Sequence, residues 1–146
     1  MVVVEVAGDW SSSSETTYPN PAVDPLLTVD VTRLYLPVKV IQVCSSRKRA
    51  NIDIQEGDTV YLEYLEMVFT ARDAFHTGGR FVCFAAAGKE HNGAPALETY
   101  SEVTYYLTDS GQVMSLTNDK LMDSYSGKTL SQFKSAMSPV MKKSGW

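Results

Sequence analysis

Apolar and polar residues alternate through much of this chain, and the alternation changes period only near its end. Val31 to Val43 places Leu34, Leu36, Val38 and Val40 on one side and Arg33, Tyr35, Lys39 and Ile41 on the other, which predicts a strand with one buried face. Pro37 cannot donate to a ladder, so that point is expected at an edge or a bulge. Glu56-Gly57-Asp58 reads as a turn into a long strand, Thr59–Thr70, with Val60, Leu62, Tyr64 and Val68 opposite Tyr61, Leu65, Met67 and Phe69. Gly78-Gly79 breaks the chain before a third strand over 80–84, and 85–97 is small and turn-rich. From Glu98 to Thr108, Val103, Tyr105 and Leu107 oppose Tyr100, Thr104 and Tyr106. Asp109-Ser110-Gly111 then turns the chain into a short strand over 112–116.

Beyond this hairpin the period becomes helical. Leu121 and Tyr125 are four apart, and Leu130, Phe133 and Met137 follow helical spacing, with Thr129 and Gln132 as a capping box and Pro139 limiting the end. Residues 1–30 read differently: a short apolar N-terminal strand, then a Ser/Thr/Pro-rich stretch over 8–30 without any period. It is expected to be an irregular arm, mobile or laid on a neighbouring subunit. The organisation that follows is a strand and arm over 1–30, a single β-rich domain with a C-terminal helix over 31–138, and a tail over 139–146. The fold class is mainly β with a C-terminal helix, a small antiparallel barrel or, alternatively, a sandwich or jelly roll. Leu34, Leu36, Val38, Val40, Val60, Leu62, Val103, Tyr105, Leu107, Leu130 and Phe133 are expected to form one core.

Composition narrows the function classes. The chain has 146 residues, 44% of them hydrophobic, and a formal charge of −4, which fits one globular domain and disfavours a protein that coats duplex nucleic acid by positive charge alone. The first residues lack the pattern of a secretory signal, and no apolar stretch reaches the about 20 residues of a membrane span. Two cysteines, Cys44 and Cys83, on predicted strands and no glycosylation sequon point to a reducing intracellular or viral setting, without a disulfide.

Catalytic signals are weak. Gly127-Lys128-Thr129 matches the end of a phosphate-binding loop, but the glycine required five positions earlier is Met122. Cys44, His76, Cys83 and His91 lack the close pairs that let two metal ligands share one turn. Glu63, Glu66, Glu98 and Glu102 are scattered along strands, and no nucleophile elbow occurs. A non-enzymatic protein without metal or cofactor is expected.

Basic and aromatic residues interleave on the polar strand faces. Arg33, Tyr35 and Lys39 share one side of a strand, Tyr100 and Tyr106 one side of another, with Arg47-Lys48-Arg49 and Arg72 in loops and Arg80 entering a strand. Cations that track phosphates beside aromatic planes that stack bases are what a single-strand groove needs, although a solvated sheet face carries the same residue types. The strand, glycine turn and second strand from Glu98 to Ser115, the helix with Leu130 and Phe133, and the Gly57-Asp58-Thr59-Val60 strand opening together resemble the small single-stranded DNA-binding proteins of bacteriophages. The chain departs from them in its Ser/Pro arm and in having no strand after the helix. The resemblance implies an oligonucleotide-binding barrel that binds single-stranded DNA during viral replication or recombination in the host cytoplasm, as a homo-oligomer. The alternative is a virion component of head, tail or decoration type, with the apolar second face of 59–70 and the arm making subunit contacts.

Overall fold

The computed structural model describes residues 1–44, 53–69 and 71–143. Its strands are β1 (Val2–Val6), β2 (Ser11–Thr17), β3 (Val29–Val43), β4 (Thr59–Leu65), β5 (Arg80–Cys83), β6 (Ala86–Ala87), β7 (Ala96–Glu98), β8 (Thr104–Leu107) and β9 (Val113–Ser115), followed by helices α1 (Lys120–Asp123) and α2 (Leu130–Lys143). The protein is mainly β with a C-terminal helix. One sheet holds the strands in the order β6-β7-β4-β3-β1-β5-β8-β9, with β2 paired to β3 as well. Its pairs are antiparallel except β4–β7, which is parallel, and the ladders do not close it into a barrel.

Residues 8–30 are the irregular arm their composition predicts only over 18–28, where every residue is exposed and none is in a strand. Ser11–Thr17 is a strand, paired from Ser11–Tyr35 to Thr17–Val29. Hydroxyl side chains tie it down: Ser14 Oγ lies 2.9 Å from Thr32 Oγ1, and Thr16 Oγ1 donates to Asp30 Oδ1 at 2.7 Å. A serine run lacks a hydrophobic period, but its backbone can still pair with a strand already fixed by its neighbours. β1 and β2 both flank the same edge of β3, as two halves of one broken strand. The break falls opposite Pro37, whose carbonyl accepts from Ala7 N. In extended chain a residue's N–H and C=O point the same way, so the missing donor of Pro37 faces the interruption.

Alternation in β1 divides the apolar residues between two faces. Val2, Val4 and Val6 join Leu34, Leu36, Val38, Val40, Val60, Leu62, Tyr64, Phe81 and Leu97 in one cluster. Met1 and Val3 join Val82, Tyr105, Leu107, Val113, Phe133 and Met137 in the other, under α2. The single core expected is therefore two, because central strands are covered on both sides. Val103 and Leu130, expected in the core, are only partly buried. In the first cluster Trp10, Phe69 and Phe75 pack around Tyr64, with ring centroids 4.3–5.9 Å from its own. Cys83 is fully buried there, which pushes its thiol up to about 12, and both cysteines are free.

Three further expectations are corrected. The strand from Thr59 ends at Leu65, where the 3₁₀ turn Glu66–Val68 brings Phe69 back onto Tyr64 instead of the opposite face. The alternating run 98–108 is split between β7 and β8 by the 3₁₀ turn Ser101–Val103. α2 passes through Pro139 to Lys143, so the boundary expected after residue 138 falls inside a helix. The capping box forms as expected: Gln132 N donates to Thr129 Oγ1 at 3.3 Å and Thr129 N to Gln132 Oε1 at 3.0 Å.

Candidate functional site

The residues expected to form a single-strand groove are dispersed. Arg33 donates through Nη1 to Glu63, whose side chain is wholly buried, and its Nε lies 3.5 Å from Glu15 Oε1. Burial opposes the guanidinium's charge, but the carboxylate of Glu63 outweighs it and holds the Arg33 pKa above its usual value. Glu15 in turn accepts from Lys89 Nζ at 2.5 and 2.6 Å, and that bond holds its carboxyl below the ordinary range. Tyr35, expected on a solvated face, is buried at 3% exposure. The imidazole of His91 stacks on it at 3.9 Å and 5°. His91 Nε2 also lies 3.1 Å from Ser11 Oγ.

The cause is the turn-rich segment over 88–95. It folds across the outer face of β2, β3 and β4, anchored by Lys89 N donating to Glu63 Oε2 at 2.7 Å and by His91 on Tyr35. Charge pairing and stacking hold it there, neither of which leaves a trace in hydrophobic periodicity.

The other expected contacts lie elsewhere. Lys39 is exposed and sits in a cross-strand row with Glu5 and Arg80. Arg80 is partly buried, 4.0 Å from Asp109. Arg72 is exposed, with its guanidinium 5.7 Å from the Trp10 ring centroid. Tyr106 faces the first cluster, partly buried against Phe81. Tyr100 is exposed and donates to Glu98 Oε1 at 2.9 Å, which raises its pKa. Arg47, Lys48 and Arg49 lie outside the described residues.

Two features that the strand pattern does not single out stand in their place. The first is the β2–β3 hairpin. Pairs Ser14–Thr32, Glu15–Val31, Thr16–Asp30 and Thr17–Val29 extend beyond Arg33–Leu65, the last pair of β3 with β4, so the hairpin overhangs the sheet by about 13 Å at ~3.3 Å per residue. Its tip is apolar yet uncovered: Val23 is 79% exposed and Leu26 88%, with Tyr18, Leu27 and Val29 exposed beside them. The second is a cleft of about 340 Å³ between α2 and the chain around β7 and β8. Phe84, Val103, Met122, Met137, Val140 and Met141 supply most of its wall, and Glu98 and Tyr100 its polar part. Methionine adapts its shape, so such a cleft suits an irregular apolar guest. Met137, Val140 and Met141 at helical spacing are the one sequence sign of it.

Among the described residues no helix is long and apolar enough to cross a membrane. Comparisons with family models, with curated proteins and with solved structures find no match to this chain.

Proposed function

We propose that this chain is a non-enzymatic structural subunit that assembles with copies of itself, of the kind from which a virus head or tail is built. The observation that carries the reading is the overhanging hairpin with its uncovered Tyr18, Val23, Leu26, Leu27 and Val29. Large apolar side chains gathered on one projecting element are what subunit contacts use, because covering them removes apolar area from water at about 25 cal/mol per Å². Sedimentation over a range of protein concentrations tests it. Wild-type protein is expected to associate as concentration rises, and the Leu26→Asp/Leu27→Asp variant to remain a monomer with unchanged circular dichroism. Wild-type protein that stays monomeric up to its solubility limit overturns the reading.

Single-stranded DNA binding is the second reading, and the strand order favours it. The meander β1-β3-β4, with β5 antiparallel to β1 and β7 parallel to β4, is similar to the order of an oligonucleotide-binding barrel. Contacts between the β4–β7 part of the sheet and the β5–β8 part support a barrel-like curl: Tyr64 Oη lies 3.0 Å from Thr104 Oγ1, and Thr99 Oγ1 donates to Phe84 O at 2.9 Å. Arg33 and Tyr35 are already engaged within the protein, however, and stacking aromatics must be free to meet bases. Retention of oligothymidine in low salt, weakening with added salt at a log–log slope of about 0.7 per phosphate neutralised, is the result that would favour this reading over assembly.

A further inference from the structure

We propose that the apolar hairpin tip of one subunit docks in the methionine-lined cleft beneath α2 of a second copy, so that the chain assembles head to tail. This rests on the structural-subunit reading and specifies which surfaces meet. Every residue from Tyr18 to Asp30 is exposed, so the tip does not sit in the cleft of its own subunit. Leu26 and Val23 are the most exposed of its apolar side chains, and the cleft offers an apolar wall of matching chemistry with Val140, 44% exposed, at its mouth.

Charge selects the same pairing. From Ser11 to Thr32 the chain carries Glu15, Asp24 and Asp30 and no lysine or arginine. From Lys120 to Lys143 it carries Lys120, Lys128, Lys134, Lys142 and Lys143 against the single acid Asp123. Glu15 is held by Lys89 and Arg33, which leaves Asp24 and Asp30 as the acids of the projecting part. Lys134 precedes Met137 by one helical turn, and Lys142 and Lys143 follow Met141, so the α2 wall of the cleft is bracketed by cations. Glu98 on the cleft wall opposes an acidic guest, and the bond it accepts from Tyr100 leaves that charge in place, but the lysines flanking the α2 wall outnumber it. An acidic, apolar tip facing itself gains no such match. Opposite charge across the contact therefore favours the tip-to-cleft arrangement over a tip-to-tip one.

A plug and socket on different parts of one surface make a heterologous contact, which closes into a ring or runs on as a filament depending on the rotation it imposes. Complementation between two defective chains tests this. Leu26→Asp removes the plug, and Val140→Glu places a like charge at the mouth of the socket on an exposed helix position. Each variant alone is expected to sediment as a monomer with wild-type circular dichroism. An equimolar mixture is expected to form dimers, because the intact tip of the Val140→Glu chain meets the intact cleft of the Leu26→Asp chain. Mixing a Leu26→Cys chain with a Val140→Cys chain in oxidised glutathione, which takes up the two electrons, should give an intermolecular 26–140 disulfide, identified by peptide mass spectrometry.

Assembly of the Val140→Glu chain alone at wild-type strength, with Leu26→Asp still monomeric, overturns the cleft as the socket while leaving the structural-subunit reading standing. Two monomeric variants whose mixture also stays monomeric overturn the head-to-tail arrangement in favour of a symmetric contact. Wild-type protein that never associates overturns both.

Discussion

Residues 88–95 and residues 18–28 are both turn-rich stretches without a hydrophobic period, and the fold uses them in opposite ways. The first is fastened to the sheet, with Lys89 bonded to Glu15 and Glu63 and His91 stacked on Tyr35. The second overhangs the sheet, with Val23 and Leu26 exposed. The segment with less apolar surface is the one held down. Specific charged and aromatic partners decide whether a loop covers a sheet face, and apolar content without a partner becomes surface offered to another molecule.

The sharpest way to break the contrast is to release the fastened segment. Arg33→Met leaves the buried carboxylate of Glu63 without its cation and is expected to cost about 3–5 kcal/mol in urea unfolding. The double variant Arg33→Met/Glu63→Leu should recover part of that loss, since no buried charge is then unpaired, while Lys89 N still lacks the acceptor that Glu63 supplied. A single variant as stable as wild type would show that the ion pair does not hold this face.

Gly88→Ala is the next largest. Its Cβ would fall on the Glu63 carboxylate and lie 3.1 Å from Glu98 N and 3.2 Å from Ala96 O, so the segment must lift. A loss of about 1–3 kcal/mol is expected, with faster amide exchange confined to the neighbourhood of 88–95.

Acid should separate the two stretches without mutation. Glu15 has its folded pKa held below the ordinary value of 4.5 by Lys89. Its contribution is therefore present above the unfolded value and is lost as pH falls through the lower folded one. Hydrogen exchange at Lys89 is expected to rise as pH drops below that range, once corrected for intrinsic rates, while exchange at 18–28 stays unchanged. Equal response in both would contradict the difference in fastening.

The smallest stability effect belongs to the hairpin tip. Leu26→Asp/Leu27→Asp is expected to shift monomer stability by no more than about 0.5 kcal/mol, because neither side chain is buried in the folded chain. A larger loss, measured below the concentration at which the protein associates, would mean that the tip belongs to the core.

Much of the strand framework is legible in the sequence where one face is buried. Leu34, Leu36, Val38 and Val40 alternate cleanly because β3 packs that side into the first cluster, and the Thr129–Gln132 capping box marks the start of α2. Legibility fails where tertiary partners replace periodicity. Nothing local to Tyr35 announces that His91, far along the chain, will cover it. Tyr100 and Tyr106 look equivalent in an alternating run, but the turn at Ser101–Val103 sends one to the surface and the other against Phe81. The serine run of β2 has no buried face to record, so only its pairing with β3 identifies it as a strand.

The position of β1 bears on how the chain is made. Val2–Val6 lies between β3 and β5, paired to Val38–Val43 on one side and to Arg80–Cys83 on the other. During synthesis the first strand can find one partner early, but it keeps an unpaired edge of valines until Cys83 has left the ribosome. Nascent chains stalled between these two points would expose that edge to one another, so the growing polypeptide is at its most aggregation-prone before β5 emerges.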